Sequence, residues 1–152
     1  KMSKTPGIKY FAYGSNLSFS QMNDRCPKNI PLGIGKLDGY RWVISNRGYA
    51  NVIKSENDYV LGRIYKINNH DEISLDRNEG VNLLNSGYDK KSLPIIIDNM
   101  SCDCLVYVDP IVKEGPPKKE YIDRINTGIT DSKFPDEYVE KYIRDKIPLI
   151  EK

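Results

Sequence analysis

The run Lys9-Tyr10-Phe11-Ala12-Tyr13 is aromatic and strand-forming, and it breaks abruptly into Gly14-Ser15-Asn16-Leu17. Ring-bearing residues suit a pleated, half-buried surface, whereas Gly-Ser-Asn ends a strand and turns the chain. Residues 18–26 then read as a short helix, with Leu17 and Met22 able to cover one side and Pro27 just beyond its end. A strand, a glycine turn and a helix start in succession leave backbone N–H groups facing outward without partners. Such a place can hold a carboxylate or a developing oxyanion. Read locally, the same residues also make an ordinary strand-to-helix turn with Asn16 or Ser18 as N-cap.

Strand signals dominate the next part of the chain. Residues 32–38 and 40–46 read as two strands joined by the turn dipeptide Asp38-Gly39. Gly33-Ile34-Gly35 lacks the third glycine and the helix of a phosphate-binding loop, and reads as a tight or bulged strand. Residues 51–54 form a short strand and residues 58–67 a clear one. In the latter, Val60, Gly62, Ile64 and Lys66 share one face, and Leu61, Arg63, Tyr65 and Ile67 the other. Asn68-Asn69 caps a helix over 71–78, with Asp71 and Glu72 matched to its positive end. That helix ends at Glu79-Gly80, where Gly80 suits the left-handed terminating position. Residues 93–98 and 101–108 make a hairpin around Asp98-Asn99, with Pro94 at an edge or at the strand's start.

Asp109-Pro110 and Gly115-Pro116-Pro117 break the chain before two helices. The first covers 118–127, with Tyr121, Ile122 and Ile125 on one side, and Gly128 follows it. The second covers 135–147, with Pro135 at its first position and Val139, Tyr142, Ile143 and Ile147 as its apolar stripe. Strands first, one inserted helix, a hairpin and then two helices make an α+β fold rather than an alternating parallel one. No repeat or linker interrupts residues 1–152, so a single domain is expected.

Composition narrows the partners. With 39% hydrophobic and 29% charged residues, a folded, soluble domain is expected. The net charge of +2 is scattered and forms no dense basic stripe, which argues against nucleic acid. No apolar run is long enough to span a membrane and no apolar signal core opens the sequence, so a cytoplasmic location is expected. Cys26, Cys102 and Cys104 are read as reduced thiols, the latter two pointing the same way from one strand. Tyrosine is unusually abundant, 11 against 3 Phe and 1 Trp. Because a buried phenol wants a partner for its hydroxyl, some of these must line a polar cavity or the edge of the core.

Counting then limits the chemistry. His70 is the sole histidine and sits at the charged start of a helix, which leaves no Ser–His or Cys–His nucleophile. No nucleophile elbow, P-loop or two-histidine metal motif is present. An enzyme built on this chain relies on a lone carboxylate and backbone donors, without metal or cofactor. Glu79 is the best carboxylate: unpaired carbonyls at the helix end disfavour its charge and raise its pKa, the more so in an apolar site. Read locally, it is equally an ordinary glutamate ahead of a capping glycine.

Taken together, the two motifs suggest more. Tyr10-Phe11-Ala12-Tyr13-Gly14-Ser15-Asn16-Leu17 resembles the signature of γ-glutamyl cyclotransferases. Leu75-Asp76-Arg77-Asn78-Glu79-Gly80-Val81 resembles that family's Leu-Asp-x-x-Glu-Gly-Val motif, and the spacing between the two matches as well. Gly115-Pro116-Pro117-Lys118-Lys119-Glu120-Tyr121 and Phe134-Pro135-Asp136-Glu137-Tyr138 resemble its C-terminal pattern of a Pro-Pro segment, a pocket tyrosine and a late Leu-Pro-x-x-Tyr. The resemblance implies a small mixed β-barrel or curved sheet with helices packed around it. The reaction it implies is cyclisation of a γ-glutamyl amide to 5-oxoproline and a free amine.

The resemblance also implies roles for single residues. Glu79 is the catalytic acid/base. Backbone N–H groups of Gly14, Ser15, Asn16 and Leu17 hold the glutamyl end, Tyr13 shapes the loop, and Tyr88 and Tyr121 border the pocket. Residues 82–87 form a segment longer than in the family, which shifts how Tyr88 aligns. The expected partner is a small-molecule γ-glutamyl substrate, with a homodimer as the one macromolecular assembly considered. Two alternatives stay open at the level of sequence: a non-catalytic member that binds a small ligand or a protein, and a biosynthetic enzyme that removes a γ-glutamyl protecting group.

Overall fold

The computed structural model describes residues 7–81 and 87–149. Five strands close into a barrel in the order β1 (Ile8–Ala12), β3 (Ala50–Ile67), β2 (Ile30–Ile44), β4 (Asp89–Ile97) and β5 (Met100–Val108). β1 closes the ring by pairing parallel to β5 at Tyr10 and Leu105, while the other pairings are antiparallel. The mixed barrel and the α+β class therefore stand as expected. Helices α1 (Phe19–Arg25), α2 (Asn69–Asn78), α3 (Lys119–Ser132) and α4 (Asp136–Tyr142) pack around it.

The expected hairpin at Asp38-Gly39 is not there. β2 runs through it, and Gly39, at φ +81°, forms a bulge between Asp38 and Tyr40. An Asp-Gly pair supplies the same positive φ to a turn or to a bulge, so local sequence does not separate them. The long partner decides: β3 joins the two predicted segments 51–54 and 58–67 into one strand that pairs along the whole of β2. The true reversal lies at Ser45–Tyr49. There the Ser45 N–H donates to the Tyr49 carbonyl at 2.8 Å, and Gly48 takes φ +95°. Gly33 does form the anticipated bulge, at φ +128°. The Asp98-Asn99 turn also holds, with both residues at positive φ. Pro94 lies mid-strand opposite Asp103 rather than at the strand's start.

Two apolar clusters flank the sheet. Phe11, Trp42, Val60, Ile64, Ile95 and Val106 belong to one, continuous with Ile125, Ile129, Tyr138 and Ile143 from the C-terminal helical region. Tyr10, Ala12, Tyr65 and Tyr107 face the other, under Met22, Cys26 and Leu75. Alternate residues of β1 thus go to opposite cores, which is why its sequence is apolar without alternation. The face expected to carry Val60, Gly62, Ile64 and Lys66 is buried except at Lys66. Arg63, on the other face, lies under the Phe19 ring and donates to the Asp131 carbonyl at 3.1 Å.

Gly128 does not end the third helix. α3 continues to Ser132 and stops at Lys133, which takes φ +54°. A Cβ at Gly128 would stand 2.6 Å from the Leu17 Cβ, so this glycine admits the turn after β1 against the helix. Pro135 is the N-cap of α4 rather than its first residue, and the helix is short; Val139, Tyr142, Ile143 and Ile147 are nevertheless buried. Cys102 and Cys104 do point the same way, with sulfurs 3.9 Å apart. Among the described residues no helix is long and apolar enough to cross a membrane.

Candidate active site

The break after β1 is held on every side. The Tyr13 carbonyl accepts the Trp42 indole N–H at 2.8 Å, and its hydroxyl donates to the Tyr107 carbonyl at 2.5 Å. Residues Ser15–Leu17 form one 3-10 turn, closed by Leu17 N–H to the Gly14 carbonyl at 3.0 Å and Ser18 N–H to the Ser15 carbonyl at 3.1 Å. Ser18 caps α1 by accepting the Gln21 N–H. Asn16 is the buried keystone. Its Nδ2 donates to the Tyr10 hydroxyl at 2.9 Å, its Oδ1 accepts from Gln21 and Arg25, and its carbonyl accepts from Tyr65. The turn's own bonds leave the N–H groups of Gly14, Ser15 and Asn16 outside them. A Cβ at Gly14 would stand 2.7 Å from the Tyr121 Oη, so the close approach of that ring requires glycine here.

Opposite this turn, the end of α2 is built by a Schellman motif, and each motif residue has a mechanical reason. Asn68 caps the helix start through its Oδ1 and the Asp71 N–H at 2.8 Å, as its sequence predicts. At the other end Gly80 takes φ +67°, its N–H reaching the Arg77 carbonyl and the Val81 N–H the Asp76 carbonyl. Val81 and Leu75 lie in the same apolar cluster, the contact that usually accompanies this cap. Asp76 ties the helix end to the barrel by accepting the Tyr107 hydroxyl at 2.6 Å and pairing with Lys90 at 3.1 Å. Glu79 is the C-cap residue, fixed by its N–H to the Leu75 carbonyl at 2.8 Å, while its own carbonyl takes the Tyr88 N–H.

These elements enclose one cavity of about 440 Å³, walled by Tyr13, Gly14, Ser15, Asn16, Glu79, Tyr88 and Tyr121. Leu17 does not join them. Its side chain is buried against Gly128 and its N–H is consumed by the turn, so it carries the wall from behind. Tyr88 lies in the wall, whereas most of the segment before it, residues 82–86, falls outside the described residues. Burial pushes the Glu79 carboxyl up to about 7, and the Arg25 guanidinium pulls it partly back. A carboxylate of that pKa exchanges protons readily near neutrality.

The cavity's tyrosines divide by what their hydroxyls do. Those of Tyr13 and Tyr88 are spent as donors, the latter to the Ala50 carbonyl at 2.8 Å, so these rings serve as wall. Tyr10 accepts from Asn16 and Tyr121 accepts the Ala50 N–H at 3.2 Å, so each keeps its phenolic proton for another partner. Burial raises the pKa of all four, which keeps them protonated donors at neutral pH. Sequence reasoning missed Tyr10, Tyr49 and Tyr107 as cavity residues, and Arg25, Arg47 and Arg124 beside them. The excess of tyrosine was the available signal; the arginines gave none, since they come from α1, the β2–β3 turn and α3.

A model of the AIG2-like family matches residues 59–142. The chain is similar to γ-glutamylcyclotransferase of Mus musculus, at 26% identity over 87% of this chain and 75% of the mouse protein. It is similar also to that of Homo sapiens, at 27% identity over the same shares. Among solved structures, one of a γ-glutamyl cyclotransferase superposes with a TM-score of 0.79 at 26% identity, covering 89% of this chain and 85% of the other.

Proposed function

Because this chain belongs to the AIG2-like family and carries the γ-glutamyl cyclotransferase fold, we propose that it cyclises a γ-glutamyl amide, releasing 5-oxoproline and a free amine. The observation that carries this reading is the placement of one carboxyl group of pKa about 7, Glu79, in the same cavity as Gly14, Ser15 and Asn16, whose N–H groups the turn's own bonds do not use.

The reaction suits such a site. The substrate's α-amine is its own nucleophile, so the protein need only fold the chain and move protons. Glu79 takes a proton from the α-ammonium, and the freed amine attacks the γ-carbonyl carbon. The carbonyl oxygen becomes an oxyanion that the loop N–H groups receive. Collapse breaks the bond to the departing nitrogen, which collects the proton that Glu79 carries. Over a turnover the α-nitrogen loses two protons as it becomes the ring amide, and the departing nitrogen gains two as it leaves as ammonium. Orientation in a five-membered closure lowers the barrier by up to about 7–11 kcal/mol. Tyr10 and Tyr121, with their unspent phenolic protons, stand ready for the substrate's oxygen atoms.

The test is Glu79→Gln assayed for 5-oxoproline from γ-glutamyl-alanine. The expected loss is about 10²–10⁴-fold in kcat with the fold retained. Parental turnover by the pure variant would end this assignment.

A further inference from the structure

Beside the Gly14–Asn16 turn the cavity holds a cation to which the reaction gives no task. Arg25 stands in the last turn of α1, where a positive charge suits the carbonyl end of a helix. The helix is firmly seated: Ser18 caps its start, Met22 and Cys26 are buried, and the Asn29 side chain donates to the Cys26 carbonyl at 2.8 Å. From this mount the half-buried Arg25 reaches back to Asn16, its Nη1 donating to Oδ1 at 3.2 Å, and it lines the cavity together with Glu79. Gln21 donates to the same oxygen at 3.1 Å and also to the Ser15 hydroxyl. Two donors on Oδ1 fix the Asn16 amide in one orientation, the one in which Nδ2 donates to the Tyr10 hydroxyl at 2.9 Å. Arg25 thus acts along a line of bonds through Asn16 to Tyr10. Among the described residues Arg25 makes no ion pair, so no carboxylate cancels its charge. The other ionisable groups of the wall are Tyr10 from β1 and Tyr13 just beyond it, Arg47 and Tyr49 from the β2–β3 turn, Tyr107 from β5, Tyr121 and Arg124 from α3, Tyr88, and Arg77 on α2 itself. Burial keeps the phenols of Tyr10, Tyr13, Tyr88, Tyr107 and Tyr121 protonated and uncharged at neutral pH. Of the cations, Arg25 is the one whose charge acts on Glu79.

We propose that Arg25 is a positioning residue for the cyclisation: through Asn16 it locks the turn that offers the Gly14–Asn16 N–H groups and the Tyr10 hydroxyl, and its unpaired charge favours Glu79 as the proton acceptor. This rests on the cyclisation reading of the same cavity. A guanidinium suits both tasks, because it stays charged at every working pH and its planar N–H groups hold a direction that a lysine ammonium does not. Without it, Gln21 alone orders the Asn16 oxygen, and burial acts on Glu79 unopposed.

The test is Arg25→Met and Arg25→Lys, assayed for 5-oxoproline from γ-glutamyl-alanine across the neutral pH range. In Arg25→Met the rise of kcat/KM with pH is expected to move up by about one unit. Its plateau kcat should fall about tenfold, because the donors are less well held, with KM changed by less than about threefold. Arg25→Lys keeps the charge, so it should return the pH limb to about 7 and recover part of kcat. A methionine variant with the parental pH profile and kcat, or a lysine variant shifted as far as the methionine one, overturns the proposal. So does a rise in KM with kcat and the pH limb unchanged, the mark of a direct substrate ligand. Arg25→Gln, polar but uncharged, answers the same question if the methionine variant does not fold. If the parent does not turn over γ-glutamyl-alanine, the cyclisation reading fails by itself. A carbon-13 NMR titration of the Glu79 carboxyl, assigned with Glu79→Gln, still decides the role of the charge: an upward shift in Arg25→Met supports it and an unmoved titration overturns it.

Discussion

Glu79 shows how one residue's chemistry is set by its position at a helix end. The C-cap places the carboxyl in the cavity wall, where burial opposes its charge, and its pKa rises to about 7 from the usual 4.5. As the base, Glu79 must be ionised, so kcat/KM for γ-glutamyl-alanine should rise with pH and level off above about 7. A profile flat from pH 5 to 8 would contradict this role. The same shift has a stability sign. A carboxyl whose folded pKa is raised favours the folded state fully below its unfolded pKa and loses that contribution as pH rises through about 7. Glu79→Gln should therefore be more stable than the parent at pH 8, by about 1–3 kcal/mol after allowance for its partial exposure, and show little difference near pH 4. Denaturant titrations at the two pH values read this directly.

At the level of elements, the site is two chain breaks pressed together by glycine. Gly80 holds the left-handed position that ends α2 and aims Glu79. Gly80→Ala should cost about 1 kcal/mol in stability and lower kcat, because the cap that sets the carboxyl is strained. Gly128 supplies the sharper case. Helix propensity alone says that Gly128→Ala stabilises α3 by about 1 kcal/mol. The close approach of Leu17 says the opposite: the added methyl would push α3 from the 3-10 turn and cost about 1–3 kcal/mol as overpacking. The variant is expected to melt lower and to show a raised KM, since the moved turn carries the Gly14–Asn16 N–H groups. A higher melting temperature with unchanged KM would count against this packing role.

For the molecule as a whole, the barrel brings residues from β1, the β2–β3 turn, α1, α2 and α3 to one cavity, so the site should be lost only with the fold. Trp42 is the single tryptophan, buried and bonded to the Tyr13 carbonyl at the head of the loop. Its fluorescence and far-UV circular dichroism should give coincident denaturant transitions if residues 1–152 unfold as one unit. Separated midpoints would divide the chain.

What the sequence determined was local. The positive-φ glycine after Glu79, the Asn68 cap, the aromatic strand broken at Gly14 and the alternation of β3 follow from backbone sterics and hydrogen bonding within a few residues, and each stands in the structure. Those forces also put Glu79 at the helix end, while burial, a tertiary effect, raised its pKa. Tertiary structure decided what local rules leave degenerate. Asp38-Gly39 serves turn and bulge alike, and the long β3 made it a bulge. Gly128 serves helix end and helix contact alike, and Leu17 made it a contact. The same packing withdrew Leu17 from the cavity and brought in Tyr10, Tyr49 and Arg47, because barrel closure is a long-range constraint that no short window of residues carries.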